Sequence, residues 1–299
     1  MEFYILPTQN PASNVRRILS QQVRHAINSL TDPEIDRDEG VHRARKSIKR
    51  IRAVLRMVRG GINDKTYQRE NRFYRDVARD LSGARDSAVV LKTFNALART
   101  HKEVPRKPLT AIRKHMKSFR DVEVDFPVAD VVERLEAADM RIETLRFREK
   151  GFAVFSGGVG TVYADGREQL AACMKAPTVA NFHEWRKNVK YLWHHMEILT
   201  PTWEGLTATY AESLHTLADY LGDDHDLAVL KDTLVELPDD VGDPDAVYQL
   251  ITIIDVEREQ LQENAIRLGK RIYAEDPVQF VRRTRSYYKL WRQEQRQQV

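Results

Sequence analysis

One histidine and five cations share one side of a single predicted helix between Val41 and Gly61, VHRARKSIKRIRAVLRMVRGG. With His42 at zero on a wheel of 100° per residue, Arg45, Lys46, Lys49, Arg52 and Arg56 lie within about 80° either side. Arg50 is a further candidate. Ile48, Ile51, Val54, Leu55 and Val58 fall opposite, so one side is built to enter a core while the other forms a cationic stripe of roughly 21 Å. No acid interrupts the segment. Like charges at i,i+3 and i,i+4 oppose one another, so the stripe must be offset by acids from elsewhere or by a bound polyanion. Arginine offers a fork for two phosphate oxygens, lysine a mobile point charge and neutral histidine one donor, which suits phosphate.

The same construction returns at HEWRKNVKYLWHHMEIL, where His183, Arg186, Lys187 and Lys190 repeat the spacing of His42, Arg45, Lys46 and Lys49. Trp185, Val189, Leu192, Met196 and Leu199 supply its apolar back. A second pair of motifs follows, LSGARD from Leu81 and LGDDHD from Leu221. His183 stands 141 positions after His42, and Leu221 stands 140 after Leu81. A shared period in two separate motifs indicates duplication of one helical unit. The copies are unequal: Tyr191 and Trp193 stand where the first has Arg50 and Arg52, and His194, close to His183 on the wheel, is the candidate to compensate. His195 points elsewhere and reads as a histidine hydrogen-bonded at a bundle interface.

The elements that must position these side chains are helical. The chain has 299 residues, 31% of them charged and 42% hydrophobic, with 13 glycines and 11 prolines. Long stretches follow the 3.6-residue period, which favours an all-α fold. The length favours two units, at 1–150 and 161–299, joined by a linker at 151–160 where GFAVFSGGVG is the most flexible-looking stretch. Helices are predicted from Pro11 to Leu30, through the basic segment, from an Asp64 cap to Leu81, from Arg85 to Thr100, after Pro105 and from Val128 to Glu149. In the second half they are predicted over 163–175, from Thr178 or Asn181 to Thr200, and over 203–221, 224–236, 244–270 and 277–296. The last carries Arg282, Arg283 and Lys289, which extend the cationic surface or form a solvated face.

A net charge of +4 matters less than its uneven distribution, with acids gathered at Asp219–Asp226 and Glu236–Asp245. The single Cys173 excludes an internal disulfide and a cysteine-based zinc site. No segment reads as a leader or a membrane span, so a cytoplasmic protein is expected.

With its paired His-x-x-Arg-Lys-x-x-Lys helices, its LSGARD and LGDDHD turns and the Tyr163-Ala-Asp-Gly-Arg167 lead-in to the second half, the chain resembles the CHAD domains over nearly its whole length. Arg167 becomes a further candidate site residue. The resemblance implies two four-helix bundles related by a pseudo-two-fold axis, whose basic helices line a central groove or pore that binds inorganic polyphosphate. It also implies partnership with polyphosphate granules or a triphosphate-processing enzyme.

Catalysis is not expected, and no cofactor or metal is implied. Metal-dependent phosphate chemistry needs converging carboxylates, and the cationic helices carry only Glu184 and Glu197. Asp223, Asp224, His225 and Asp226 look like a metal cluster but read as dipole and capping residues at a helix start, as does Asp86 in the first copy. The rivals to polyphosphate are nucleic acid, for which Trp193 offers a stacking face, and an acidic protein partner.

Overall fold

The computed structural model of the protein describes residues 2–81, 85–118, 127–238 and 241–297, with the backbone alone for 85–88. Ser82–Ala84, the Asp86 side chain, Asp239 and Asp240 lie outside that description. Among the described residues the chain is all-helical, with α1 Pro11–Thr31, α2 Arg37–Met57, α3 Asp64–Asp80, α4 Arg85–Thr100, α5 Arg106–Ser118, α6 Val128–Glu143, α7 Ala153–Lys175, α8 Val179–Leu199, α9 Glu204–Val235, α10 Pro244–Ile272 and α11 Pro277–Gln297. A single 3-10 turn, Thr200–Thr202, joins α8 to α9.

Short polar side chains start several of these helices, each satisfying amides that the first turn leaves orphaned and contributing about 1 kcal/mol. Asp36 accepts from the amides of Asp38 and Glu39, which begins α2 four residues before Val41. Asn63 caps α3, not Asp64; the aspartate is the first helical residue, where its charge favours the helix dipole. Thr178 caps α8 through the amide of Asn181. Gly60, with φ of 93°, turns the chain out of α2. After Glu143 the chain leaves α6 short of Glu149, because the Leu145 carbonyl is taken by Arg16 at 2.6 Å and the Arg148 amide by the Gly61 carbonyl at 2.8 Å.

Two expectations from the sequence are overturned. The glycine-rich stretch at 151–160 is not a linker, since α7 begins at Ala153 and runs through it. Its glycines permit contact: a Cβ on Gly158 would stand 2.0 Å from the Arg56 carbonyl oxygen and 2.3 Å from that of Met57. The second expectation was a break near Leu221. Instead α9 is one helix of 32 residues that carries LGDDHD within it. Leu214, Leu217 and Leu221 before the motif and Leu227, Leu230 and Leu234 after it are all buried, so both sides of Gly222 are held in helical register by packing.

Two buried clusters result, and neither coincides with 1–150 or 161–299. The larger draws on α1, α2, α3, α6, α7, α8, the first half of α9, the end of α10 and α11. The smaller joins α4 and α5 to the second half of α9 and the start of α10, through Phe94, Leu97, Ile112, Leu230 and Leu250. Residues 2–10, whose role the sequence leaves open, pack against the body: the Ile5 amide bonds the Ile198 carbonyl at 3.0 Å, and Phe3 and Ile5 are buried. Arg292 also binds the Pro7 and Gln9 carbonyls.

His195 is wholly buried in α8 and donates from Nε2 to the Ala53 carbonyl of α2 at 2.9 Å, as an interface histidine would. Burial pushes its pKa down to about 3, with the Ala53 bond opposing. The folded state therefore favours the neutral ring, and stability present above an unfolded pKa of about 6.5 is lost as pH falls toward 3. Chemical denaturation should show stability declining through this window, less steeply in His195→Gln, which keeps a donor but cannot titrate. A parallel decline in the variant would remove His195 as the cause. In urea melts, Gly158→Ala should cost about 3 kcal/mol or more, since backbone carbonyls cannot rotate aside. Gly205→Ala, whose Cβ meets nothing within 4 Å, should shift stability by under about 1 kcal/mol; equal losses would contradict the close α2–α7 approach.

Candidate functional site

The apolar face of α2 enters the core as the wheel requires, with Ile48, Ile51, Val54, Leu55 and Val58 each at most 1% exposed. On the other face Lys46 and Lys49 are exposed, while His42, Arg45, Arg50, Arg52 and Arg56 are half-buried. Arg45 does not stand clear of the protein. Its Nη1 donates to the Ala78 carbonyl of α3 at 3.1 Å and its Nε is buried, so it ties α2 to α3. Arg52 and Arg56 converge on Asn71 Oδ1 of α3, at 3.4 and 2.9 Å. The Arg56 guanidinium also lies 4.0 Å from the centroid of the Tyr191 ring on α8. Burial lowers the pKa of Arg52, and Arg56 and Arg75 act in the same direction, but an arginine so placed keeps its charge. Among the described residues neither Arg52 nor Arg56 forms an ion pair with a carboxylate.

On α8 the repeated motif is distributed differently. Lys187 pairs with Glu184 on its own helix at 2.5 Å. Arg186 is sunk against α9, where a Cβ on Gly222 would lie 3.7 Å from its Nε. Burial lowers its pKa, and the charges of Asp226 and Asp223 work against that. The His183 ring lies 4.7 Å from that of His225 on α9, and the Nδ1 atoms of both are buried without a partner. Burial lowers the pKa of His183, and His225, Lys187 and Arg186 lower it further. Lys190 completes the row, half-buried beside these groups.

The α9 acids are neither caps nor a converging set, because the motif lies inside a helix. Asp224 turns away and holds α10 through Arg258 Nε at 3.0 Å and Gln262 Nε2 at 2.8 Å. Asp223 and Asp226 point elsewhere, and no group of three metal-binding side chains occurs among the described residues.

The two basic helices touch directly, at His195 with Ala53 and at Tyr191 with Arg56. Arg50 and Lys190, one from each helix, both bear on the same histidine, His194. Of the cationic residues of the two helices, Arg50, Arg56 and Lys190 thus lie near the α2–α8 contact. Tyr191, at the position that Arg50 holds in the α2 motif, lies under the Arg56 guanidinium.

Several candidates lie apart from this surface. His194 does not compensate for missing charges: it is 7% exposed, bonds Glu197 through Nδ1 at 2.6 Å and stacks on Trp193. Arg50 is covered by Phe3, whose ring centroid is 4.7 Å from its guanidinium. Arg167 faces Asp276 at 3.8 Å, Arg283 pairs with Glu275 at 2.7 Å and Arg282 bonds Gln279. Lys289 is exposed on α11, which packs chiefly on α7. Wheel analysis of α2 alone misses Asn71 and Arg75 of α3. The signal was present, since Arg69, Arg72, Arg75 and Arg79 recur at helical spacing.

No helix is long and apolar enough to cross a membrane among the described residues. No curated protein matches the chain. Among solved structures, one described as PptA from Streptomyces chartreusis superposes with a TM-score of 0.58 at 13% identity, covering 89% of this chain and 100% of that one, a likeness of fold. The model of the CHAD domain matches residues 17–235, which include both basic helices and the LGDDHD motif. The chain belongs to the CHAD-domain family.

Proposed function

We propose that this chain binds inorganic polyphosphate, without turning it over, across the adjoining cationic faces of α2 and α8. The observation that carries the proposal is the arrangement of Arg52 and Arg56: two guanidiniums held side by side by Asn71 and Tyr191, with no carboxylate paired to them among the described residues. Family membership supports the same ligand. In this reading the halves are copies related by a pseudo-two-fold axis, and the bases of α2 and α8 border a central groove that meets a linear polyanion from both sides. Lys46 and Lys49 approach from α2, Lys187 and Lys190 from α8, and His42 and His183 stand at the start of each row. Docking on polyphosphate granules or beside a triphosphate-processing enzyme, within the cytoplasm, belongs to the same proposal.

The disposition of aromatic rings disfavours single-stranded nucleic acid. Trp193 is already stacked on His194 at 4.7 Å and near His215 at 4.3 Å, and one face of Tyr191 is taken by Arg56, so the ring surface left for a base is small. Long-chain polyphosphate should outcompete duplex DNA in a displacement assay, and equal competition would favour the nucleic acid reading.

Neutralising about five phosphates should give a salt slope near −3.5, or roughly 100-fold weaker binding between 50 and 200 mM salt. Titrations at four salt concentrations measure it, and a flat line would reject an electrostatic site. Because Arg45 is tied to Ala78, charge reversal is informative at the exposed Lys46. Lys46→Glu should weaken binding severalfold or more with unchanged helicity and melting temperature. A bound phosphate raises the pKa of His183 from its lowered value, so binding takes up a proton. Affinity should therefore rise as pH falls from about 7.5 toward 5.5. His183→Gln should flatten this profile, and an unaltered profile would place the proton elsewhere.

A further inference from the structure

A groove lies between α4, α9 and α10, outside the α2–α8 contact, and encloses a cavity of about 750 Å³. That volume is of the size that holds small organic molecules. Its walls are aliphatic, with Leu97 from α4, Leu227 from α9 and Leu261 from α10. Its charges are mainly acidic, with Asp223 and Asp226 on α9 and Glu257 on α10 against Lys92 on α4. Asp223 and Asp226 are three residues apart in one helix, which brings their side chains to neighbouring positions on one face. Neither carboxylate makes a hydrogen bond or ion pair among the described residues. Glu257 is anchored by His101 Nε2 at 2.7 Å, which fixes the carboxylate at the far wall.

We propose that this groove binds a linear aliphatic diamine or polyamine, its methylenes against the leucine walls and its ammonium groups on Asp223 and Asp226 at one side and Glu257 at the other. The chemistry selects this class by charge and shape together. Anions meet three carboxylates, and a bare metal ion gains nothing from leucine walls. An uncharged apolar molecule would leave Asp223 and Asp226 desolvated and unpaired. An elongated aliphatic cation satisfies both features.

Occupancy would also reach the cationic surface. Asp226 and Asp223 are the acids whose charge bears on Arg186 from across α9. Ammonium groups that neutralise them leave the Arg186 charge available to a phosphate, so amine and polyanion favour one another, with equal effect in each direction. This second step rests on the proposed function; the groove itself does not.

The experiment is calorimetric titration of the full chain with 1,8-diaminooctane, without polyphosphate, at about 150 mM salt. Saturable one-to-one binding is expected, with none for octanoate, which has the same apolar length and the opposite charge. Asp223→Asn with Asp226→Asn should weaken the diamine about tenfold or more. Ala96→Trp, at an exposed position lining the groove, should block it while leaving the fold intact. Absence of diamine binding, or binding unaffected by both sets of variants, overturns the proposal. The coupling is read without amine: the Asp223→Asn and Asp226→Asn protein should bind polyphosphate severalfold tighter than the parent, and unchanged affinity removes the coupling. A chain that binds diamine but no polyphosphate keeps the groove and refutes the polyphosphate reading. The reverse result removes the groove alone.

Discussion

Direct packing of one cationic helix on another is the constraint that the rest of the structure has to satisfy. Two unit charges about 6 Å apart repel by roughly 3 kcal/mol at a surface-like effective dielectric of about 20. Arg43 pairs with Glu39 and Lys187 with Glu184, but several other cations meet neutral groups. Guanidiniums of α2 are held by the Ala78 carbonyl, the Asn71 amide oxygen and the faces of Tyr191 and Phe3. Each such partner orients a cation and relieves its desolvation without cancelling its charge.

Holding the contact closed falls to residues with little charge. Gly158 and Gly61 let α7 and the end of α2 approach to distances that no Cβ permits. His195 hydrogen-bonds the α2 backbone from within the interface and remains neutral, since a second positive charge there would add to the repulsion. Shape and protonation state together allow like-charged elements to share a boundary.

Much of this was legible from residue spacing. The apolar backs of α2 and α8, the all-helical architecture and the interface role of His195 follow from periodicity alone. Two features failed for definite reasons. Glycine signals a break when read locally, yet in α7 and at Gly222 it marks a place where another chain segment presses close, which only tertiary packing reveals. The wheel also sorts residues into two faces, whereas Arg45 and Arg50 occupy the flanks, where partners on α3 and the N-terminal segment decide their surroundings; His194, in line with His183, is covered by Phe3 and Trp193. Arg186 illustrates the same limit: its spacing matches Arg45, but Gly222 on the facing helix opens the space into which it sinks.

The unbroken α9 has a consequence for how the molecule comes apart. Its first half packs on α8 and meets α11 and the end of α10 at Tyr210, and its second half packs with α4 and α10, so one rod traverses both hydrophobic clusters. Fraying on either side propagates through a shared backbone ladder, which makes the two clusters a single cooperative unit in the sense used for hydrogen exchange. Amides from about Leu217 to Leu230 should then exchange only through global opening, with a common protection on both sides of Gly222, at the junction of the two clusters.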